Sequence, residues 1–299
     1  MIAPFRRLAW ASWRPIAERA ARAYVAGPEL SDALRACYAI ADEGMATTIC
    51  PWDGEGDSPR RVADSYCMAL QELGRTALDC YLSIKAPSLG FSRDLLGELL
   101  EVAQPGGSGI HFDALAPETA DQSWGLIREA VARHKPVGCT LPARWRRSIG
   151  DAEQAVELGL SVRIVKGQWV DPGAPDTEAR KGFLAITKRL AGRASRVAVA
   201  THDSRLAQLA LECLRGAGTT CELELLYGLP AKTSLRIAHA AGVPVRFYVP
   251  YGHAWLPYCL SQARQNPRIL WWTMRDWLLG SRGPGGTPSH QARADGSRR

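Results

Sequence analysis

Residues 161–167 read SVRIVKG, a short β-type run in which two cations, Arg163 and Lys166, bracket Ile164 and Val165. An unpaired charge inside an apolar run is expensive to bury, so each cation must meet a partner or a polar ligand. The glycine that follows closes the run. Seven further runs of this kind occur: ATTI at 46–49, CYLSI at 80–84, GIHF at 109–112, PVGCT at 136–140, RVAVA at 196–200, TCELEL at 220–225 and PVRFYV at 244–249. Helical patterns fill the intervals at 58–74, 92–103, 119–134, 150–158, 176–191, 203–216 and 230–241, with another at 255–264. Eight strands alternating with eight helices predict an α/β chain closed as a (β/α)8 TIM-type barrel. A doubly wound sheet is the competing architecture. It calls for a Gly-rich first turn, and neither GEG at 54–56 nor GGSG at 106–109 supplies G-x-G-x-x-G between a strand and a helix.

Around this barrel, placed at 41–279, two flanks stand apart. Residues 1–40 read as an N-terminal helical segment, with FRRLAWASWRPIAERAARAYVA at 5–26 interrupted near Pro15. Residues 280–299, GSRGPGGTPSHQARADGSRR, lack apolar periodicity and read as a disordered basic tail. The net charge of +7 is concentrated in these flanks: Arg6, Arg7, Arg14, Arg19 and Arg22 face only Glu18, and Arg282, Arg293, Arg298 and Arg299 face only Asp295. A basic groove for nucleic acid therefore does not follow from the charge. The N-terminal segment allows at most peripheral contact with an anionic membrane surface. No stretch of about 18 apolar residues is present, and no apolar run follows the N-terminal arginines as in a signal peptide. Eight cysteines without a C-x-x-C pair, several of them in apolar runs, fit reduced core residues and a cytoplasmic location.

In a barrel the chemistry lies at the C-terminal strand ends. The residues there are Lys85, Asp113, Thr140 with Pro142, Arg163 with Lys166, Thr201 with His202, Glu222 and Glu224 with Tyr227, and Tyr248 with Tyr251. A solvated loop position or a structural ion pair accounts simply for any one of them. Together, several cations and carboxylates at one mouth suit a polar or polyanionic cofactor. His202 has no second His or Cys near it, so no metal site is expected. THD at 201–203 opens a helix, where Thr201 or Asp203 could cap and free N–H groups would suit a phosphate. Glu222 and Glu224 point to the same side of their strand. Paired carboxylates can hydrolyse glycosides, but the surrounding cations make ion pairs the better account. A barrel lysine, Lys85 or Lys166, could also form a Schiff base.

Four segments in order resemble the proline dehydrogenase family: RIVKG at 163–167, ATHD at 200–203, ELELLYG at 222–228 and FYVPYGHAWLPY at 247–258. SIKAPSLG at 83–90 and HFDA at 111–114 are weaker matches, and the resemblance covers roughly residues 40–268. It implies a (β/α)8 barrel binding FAD at its mouth. Flavin contacts would fall on Asp113, Ala114, Arg163, Val165, Lys166, Gly167, Thr201 and His202. Catalytic roles would fall on Asp113, Arg163, Lys85 and Tyr227. The substrate side would comprise Lys85, Tyr227, Tyr258, Ser261 and Gln262. The substrate would be a small amine or amine-like molecule that loses hydride from a carbon next to nitrogen, with quinone or oxygen as possible electron acceptors.

The chain departs from that family's pattern. Where the family shows Y-x-x-R-R, whose arginines clamp the carboxylate of proline, Tyr258 is followed by Cys259, Leu260, Ser261 and Gln262. Two charge-assisted hydrogen bonds contribute roughly 3–6 kcal/mol, or about 10²–10⁴ in affinity. Arg264 lies roughly 200–300° around a helix from those positions and points elsewhere. Pro142 stands at a glutamine position, Leu115 at a frequent glutamate position, and Glu224 at a glutamine position. The departures predict a substrate without a free proline-type carboxylate. Two alternatives remain beside it: a non-catalytic flavin- or ligand-binding barrel, and a Schiff-base lysine enzyme.

Overall fold

The computed structural model describes residues 25–54 and 56–252. Eight strands, β1 (Ala46–Pro51), β2 (Cys80–Ile84), β3 (Ile110–Phe112), β4 (Val137–Pro142), β5 (Ser161–Val165), β6 (Arg196–Ala200), β7 (Cys221–Leu226) and β8 (Val245–Tyr251), pair in chain order. Every pairing is parallel, and β8 returns to β1 to close the barrel. Seven helices link the strands: α2 (Pro59–Leu73), α3 (Arg93–Ala103), α4 (Ala120–Arg133), α5 (Ser148–Glu157), α6 (Ala179–Leu190), α7 (Ser204–Gly216) and α8 (Lys232–Ala241). The predicted barrel is thus the observed one, with element ends within a few residues of those read from the sequence.

Strand alternation builds two layers. Leu82, Ile84, Val162, Ile164, Val197, Val199, Leu223 and Leu225 face outward and are buried beneath the helices. They meet helix faces such as Val62, Tyr66, Leu70 and Leu73 of α2 and Leu206, Leu211 and Leu214 of α7 in one continuous core. Burying each such aliphatic side chain contributes roughly 1.5–3 kcal/mol. The helix starts are set locally. Ser58 accepts a hydrogen bond from Arg61 N before α2, Ser92 from Leu95 N before α3, and Asp203 from Leu206 N before α7.

The barrel interior is filled differently. Instead of layers of branched aliphatic residues, it holds Tyr81, Ser83, His111, Thr140, Arg163, Glu222, Glu224, Arg246 and Tyr248, joined by hydrogen bonds and ring contacts. Gly138 makes room for this filling, because a Cβ there would stand 2.3 Å from His111 Nδ1.

Helix α1 (Leu30–Asp42) precedes β1 and packs across β1 and β8, covering the seam where the barrel closes. Pro28 precedes its start, where Asp32 accepts a hydrogen bond from Glu29 N at 3.0 Å. The sequence predicts helix generally over 1–40 and specifically over 5–26. Of the latter stretch Val25 and Ala26 are described, and they are not helical. Ala26 N instead donates to Pro250 O at 3.0 Å, and Gly252 N to Gly27 O at 3.0 Å. The rest of that stretch, the predicted helix at 255–264 and the tail at 280–299 lie outside the described residues. Among the described residues no helix is long and apolar enough to cross a membrane.

Candidate active site

The C-terminal ends of the strands surround a cavity of about 490 Å³. Its floor is Arg163, which leaves β5 pointing into the barrel and is only 3% exposed. Nη1 donates to Asp113 Oδ1 at 2.7 Å and Nε donates to Glu224 Oε2 at 2.8 Å. Longer contacts of 3.3 and 3.4 Å reach Ser83 Oγ and Thr140 Oγ1. The rings of Tyr248 and Tyr81 lie 5.1 and 5.9 Å from its guanidinium carbon. Burial alone would depress the guanidinium, but Glu224, Tyr81 and Asp113 hold its pKa well above the usual arginine value. Arg163 is therefore a fixed cation with a fixed plane.

Asp113 follows β3 and is held from three sides. Besides Arg163 it accepts a hydrogen bond from Tyr248 Oη at 2.7 Å, and the Cys50 thiol lies 3.8 Å from the same oxygen. Burial, then the Asp113 charge, pushes the Tyr248 hydroxyl well above its usual pKa, so it stays a donor. Glu224 is 2% exposed. Burial pushes its carboxyl up and Arg163 pulls it back only in part. Its second oxygen, Oε1, is buried without a hydrogen-bond partner.

Lys85 enters from the end of β2. Its ammonium donates to Asp53 Oδ1 at 2.7 Å and to Pro51 O at 3.1 Å, and Ser88 Oγ donates to Asp53 Oδ2 at 2.7 Å. Burial would lower the Lys85 pKa, but the neighbouring Cys50, Tyr66 and Asp53 raise it above the usual lysine value. A lysine held as ammonium is a poor nucleophile, which removes the physical motive for Schiff-base chemistry at Lys85.

Other predicted residues divide into two groups. Ala114, Val165, Gly167, Thr201 and His202 line the cavity with Asp113, Arg163 and Lys85. Gly167 adopts φ +84°, and a Cβ there would stand 2.9 Å from Pro142 Cβ. The loop after β5 therefore crosses directly over Pro142. His202 is wedged between the end of β7 and the loop after it: Nε2 accepts from Leu226 N at 2.9 Å, and Nδ1 lies 3.3 Å from Pro230 O. Burial lowers its pKa to about 4, so it is neutral. Its ring nitrogens are committed to the backbone, and among the described residues no group of three or more metal-ligating side chains gathers anywhere.

Lys166 and Tyr227 sit elsewhere than expected. Lys166 does not line the cavity but pairs with Asp203 at 3.2 Å, and Arg180 reaches the same Oδ2 at 2.8 Å. Asp203 caps α7, so the predicted helix N-terminus is present with its cap in place. Tyr227 follows Leu226 on β7 and is turned by strand parity to the outer layer, where it packs against the core. Burial, and after it the Cys37 thiol of α1, raises its pKa. Tyr248 occupies the cavity position instead. Tyr258, Ser261 and Gln262 lie outside the described residues.

Asp53, Trp52, Trp145 and Trp169 also line the mouth, and none of them carries a signal in the sequence. Asp53 lies past the end of its strand, where parity gives no direction. The tryptophans look like ordinary core residues in one dimension. At the opposite end of the barrel Glu222 pairs with Arg246 at 2.9 Å and with Arg196 at 2.6 Å. The ion-pair reading of Glu222 and Glu224 therefore holds, with Glu222 serving Arg246 and Arg196 and Glu224 serving Arg163.

No family model matches the chain. Among characterised proteins it is similar to proline dehydrogenase of Deinococcus radiodurans, 26% identical over 283 residues that cover 87% of this chain and 90% of that protein. Proline dehydrogenase 1 of Bacillus subtilis subsp. natto is 24% identical over 263 residues, covering 83% of this chain and 87% of that one. Among solved structures, proline utilization A from Bdellovibrio bacteriovorus, inactivated by N-propargylglycine, superposes with a TM-score of 0.71 at 17% identity, over 83% of this chain and 33% of that one. Proline utilization A from Corynebacterium freiburgense gives a TM-score of 0.65 at 17% identity, over 95% of this chain and 36% of that one. The chain spans about a third of the length of these solved structures, which share its barrel. The sequence resemblance to proline dehydrogenases thus extends over most of the chain, in agreement with the motifs.

Proposed function

We propose that the protein is an FAD-dependent oxidoreductase of the proline dehydrogenase type, acting on a small amine or imino compound that lacks a free proline-type carboxylate. The observation that carries this reading is the buried Arg163, fixed between Asp113 and Glu224 at the floor of a large mouth cavity, in a chain similar to proline dehydrogenases. The residues present fit a flavin. Glu224 Oε1 lacks a donor, and an isoalloxazine carries an imide N–H. Arg163 offers a fixed cation, and the half-exposed Lys166 and Arg180 stand near α7 for a pyrophosphate.

Bound FAD would supply a hydride acceptor for the carbon next to nitrogen, so that the amine becomes an iminium and then, on losing its N–H proton, an imine. The chain's own residues place and screen that event. Arg163 would hold one edge of the ring system and stabilise negative charge there. Asp113, oriented by Tyr248 and Arg163, would accept a hydrogen bond from the substrate nitrogen. Lys85, tethered to Asp53 and Pro51, would border the substrate side as a cation. Trp52, Trp145 and Trp169 would exclude water from the mouth. Ser261 and Gln262, in place of two arginines, are the sequence basis for a substrate without the carboxylate.

The deciding experiment is an anaerobic titration of FAD-loaded protein with a panel of cyclic and secondary amines. Bleaching of the flavin band by a neutral or esterified amine is expected. Protein that takes up no FAD would refute the flavin reading, and FAD-loaded protein that no amine bleaches would favour a non-catalytic binding barrel.

A further inference from the structure

The two oxygens of Glu224 have unequal surroundings. Oε2 accepts from Arg163 Nε at 2.8 Å, whereas Oε1 is buried with no partner. Such an arrangement is costly unless the carboxylate is needed where it stands or a ligand supplies the missing donor. Arg163 does not require it for neutrality, because Asp113 already pairs with Nη1 at 2.7 Å. One guanidinium between two carboxylates leaves an excess negative charge at the cavity floor. The neighbouring cations do not offset it: Lys85 is committed to Asp53, and Arg246 to Glu222 and Asp79. A glutamine here would keep the acceptor for Arg163 Nε and remove the excess, and glutamine is what the family pattern carries at this position.

We propose that Glu224 is a positioning residue that fixes Arg163 through Nε and offsets its charge, so that the bound flavin is harder to reduce than it would be over a neutral side chain. This rests on the flavin reading above. The reduced flavin carries more negative charge than the oxidised form, so a cation at the floor favours reduction and a carboxylate bonded to that cation opposes it. The chain would then match an amine donor that is itself readily oxidised, since a less oxidising flavin suffices for such a substrate.

The test is the midpoint potential of FAD in the loaded wild type and in Glu224→Gln, by spectroelectrochemistry, with thermal melts of both. The expected result is a shift of at least tenfold in the oxidised–reduced equilibrium toward reduced flavin, about 30 mV more positive for a two-electron couple. Glu222→Gln removes the same charge from the same strand beside Arg246 and Arg196, and is expected to give a smaller shift. An unchanged or more negative potential in folded, FAD-loaded Glu224→Gln overturns the proposal and leaves the flavin reading standing. A wild type that binds no FAD ends both. Should Glu224→Gln fail to fold, Glu224→Met removes the same charge without adding buried amide donors and is judged by the same criterion.

Discussion

Tyr248 on β8 donates its hydroxyl to Asp113 Oδ2 at 2.7 Å, linking the closing strand of the barrel to the end of β3 across the mouth. The same aspartate receives Arg163 on its other oxygen. One carboxylate thus joins three strands, and its orientation depends on both donors. Tyr248→Phe removes a buried hydrogen bond to a charged group, worth roughly 1.5–3 kcal/mol. The expected outcome is a loss of that size in urea denaturation, together with weaker FAD binding, because Asp113 and Arg163 lose their common brace. An unchanged affinity for FAD would separate Asp113 from the cofactor.

Asp53 governs Lys85. The pair is mostly buried, with the lysine side chain 14% and the aspartate side chain 25% exposed. Removing one partner of a fully buried pair costs about 3–5 kcal/mol. Partial exposure and the remaining bond to Pro51 O place Asp53→Asn below that range. The measurement is equilibrium denaturation at neutral pH, with reductive methylation of Lys85 followed by mass spectrometry. Methylation of Lys85 is expected to be faster in Asp53→Asn than in the wild type, since the ammonium loses its stabilising charge.

His202 supplies a pH dependence whose sign can be worked out. Burial holds its folded pKa at about 4, against an ordinary value of 6.5. The unfolded chain therefore binds a proton that the folded chain refuses between these values. Stability is full above pH 6.5 and falls as the pH drops toward 4, by about 3 kcal/mol from this group. His111 is lowered by burial and by Arg163 and Arg246 and acts in the same direction. Comparing the wild type with His202→Gln at pH 7.5 and pH 5 isolates the first contribution: the variant is expected to lose less stability on acidification.

Gly138 tests the polar filling of the barrel. An added Cβ would fall 2.3 Å from His111 Nδ1 and 2.9 Å from Ser161 O, so the histidine and a neighbouring strand must both yield. Gly138→Ala is expected to cost roughly 1–3 kcal/mol as an overpacking change. It should also disturb the 3.0 Å contact between His111 Nε2 and Thr140 Oγ1. Calorimetry supplies the first number, and the imidazole resonances in NMR report the second.

Free L-proline is expected to be a poor substrate. Loss of two arginine contacts corresponds to about 10²–10⁴ in affinity. The effect should appear as a raised KM for proline beside an esterified or uncharged cyclic amine. Restoring the pair with Ser261→Arg and Gln262→Arg together should recover part of the difference. Efficient bleaching of the flavin by proline in the wild type would defeat the clamp argument.

Much of this molecule was legible in one dimension because strand alternation has a period of two. That parity puts Glu222 and Glu224 on one side of their strand, and strand ends select Lys85, Asp113, Arg163 and His202. The same rule, applied to Tyr227, turns it outward, and applied to β8 turns Arg246 and Tyr248 inward. The family resemblance puts Tyr227 on the substrate side against this parity, and Arg246 falls in none of the resembling motifs. Asp53 and the mouth tryptophans follow no period, since loop residues take their direction from what they pack against.

The sequence by itself determined the barrel, its strand order and the set of charges available to its interior. Only the tertiary structure decided how those charges are shared: Arg163 between Asp113 and Glu224, Arg246 with Glu222 and Asp79, Lys85 with Asp53. The reason is physical. Periodicity fixes which face a side chain leaves from, whereas pairing depends on distances of about 3 Å between groups up to 199 residues apart, as in the bond from Arg246 to Thr47 O. Such distances exist only once β8 has closed on β1.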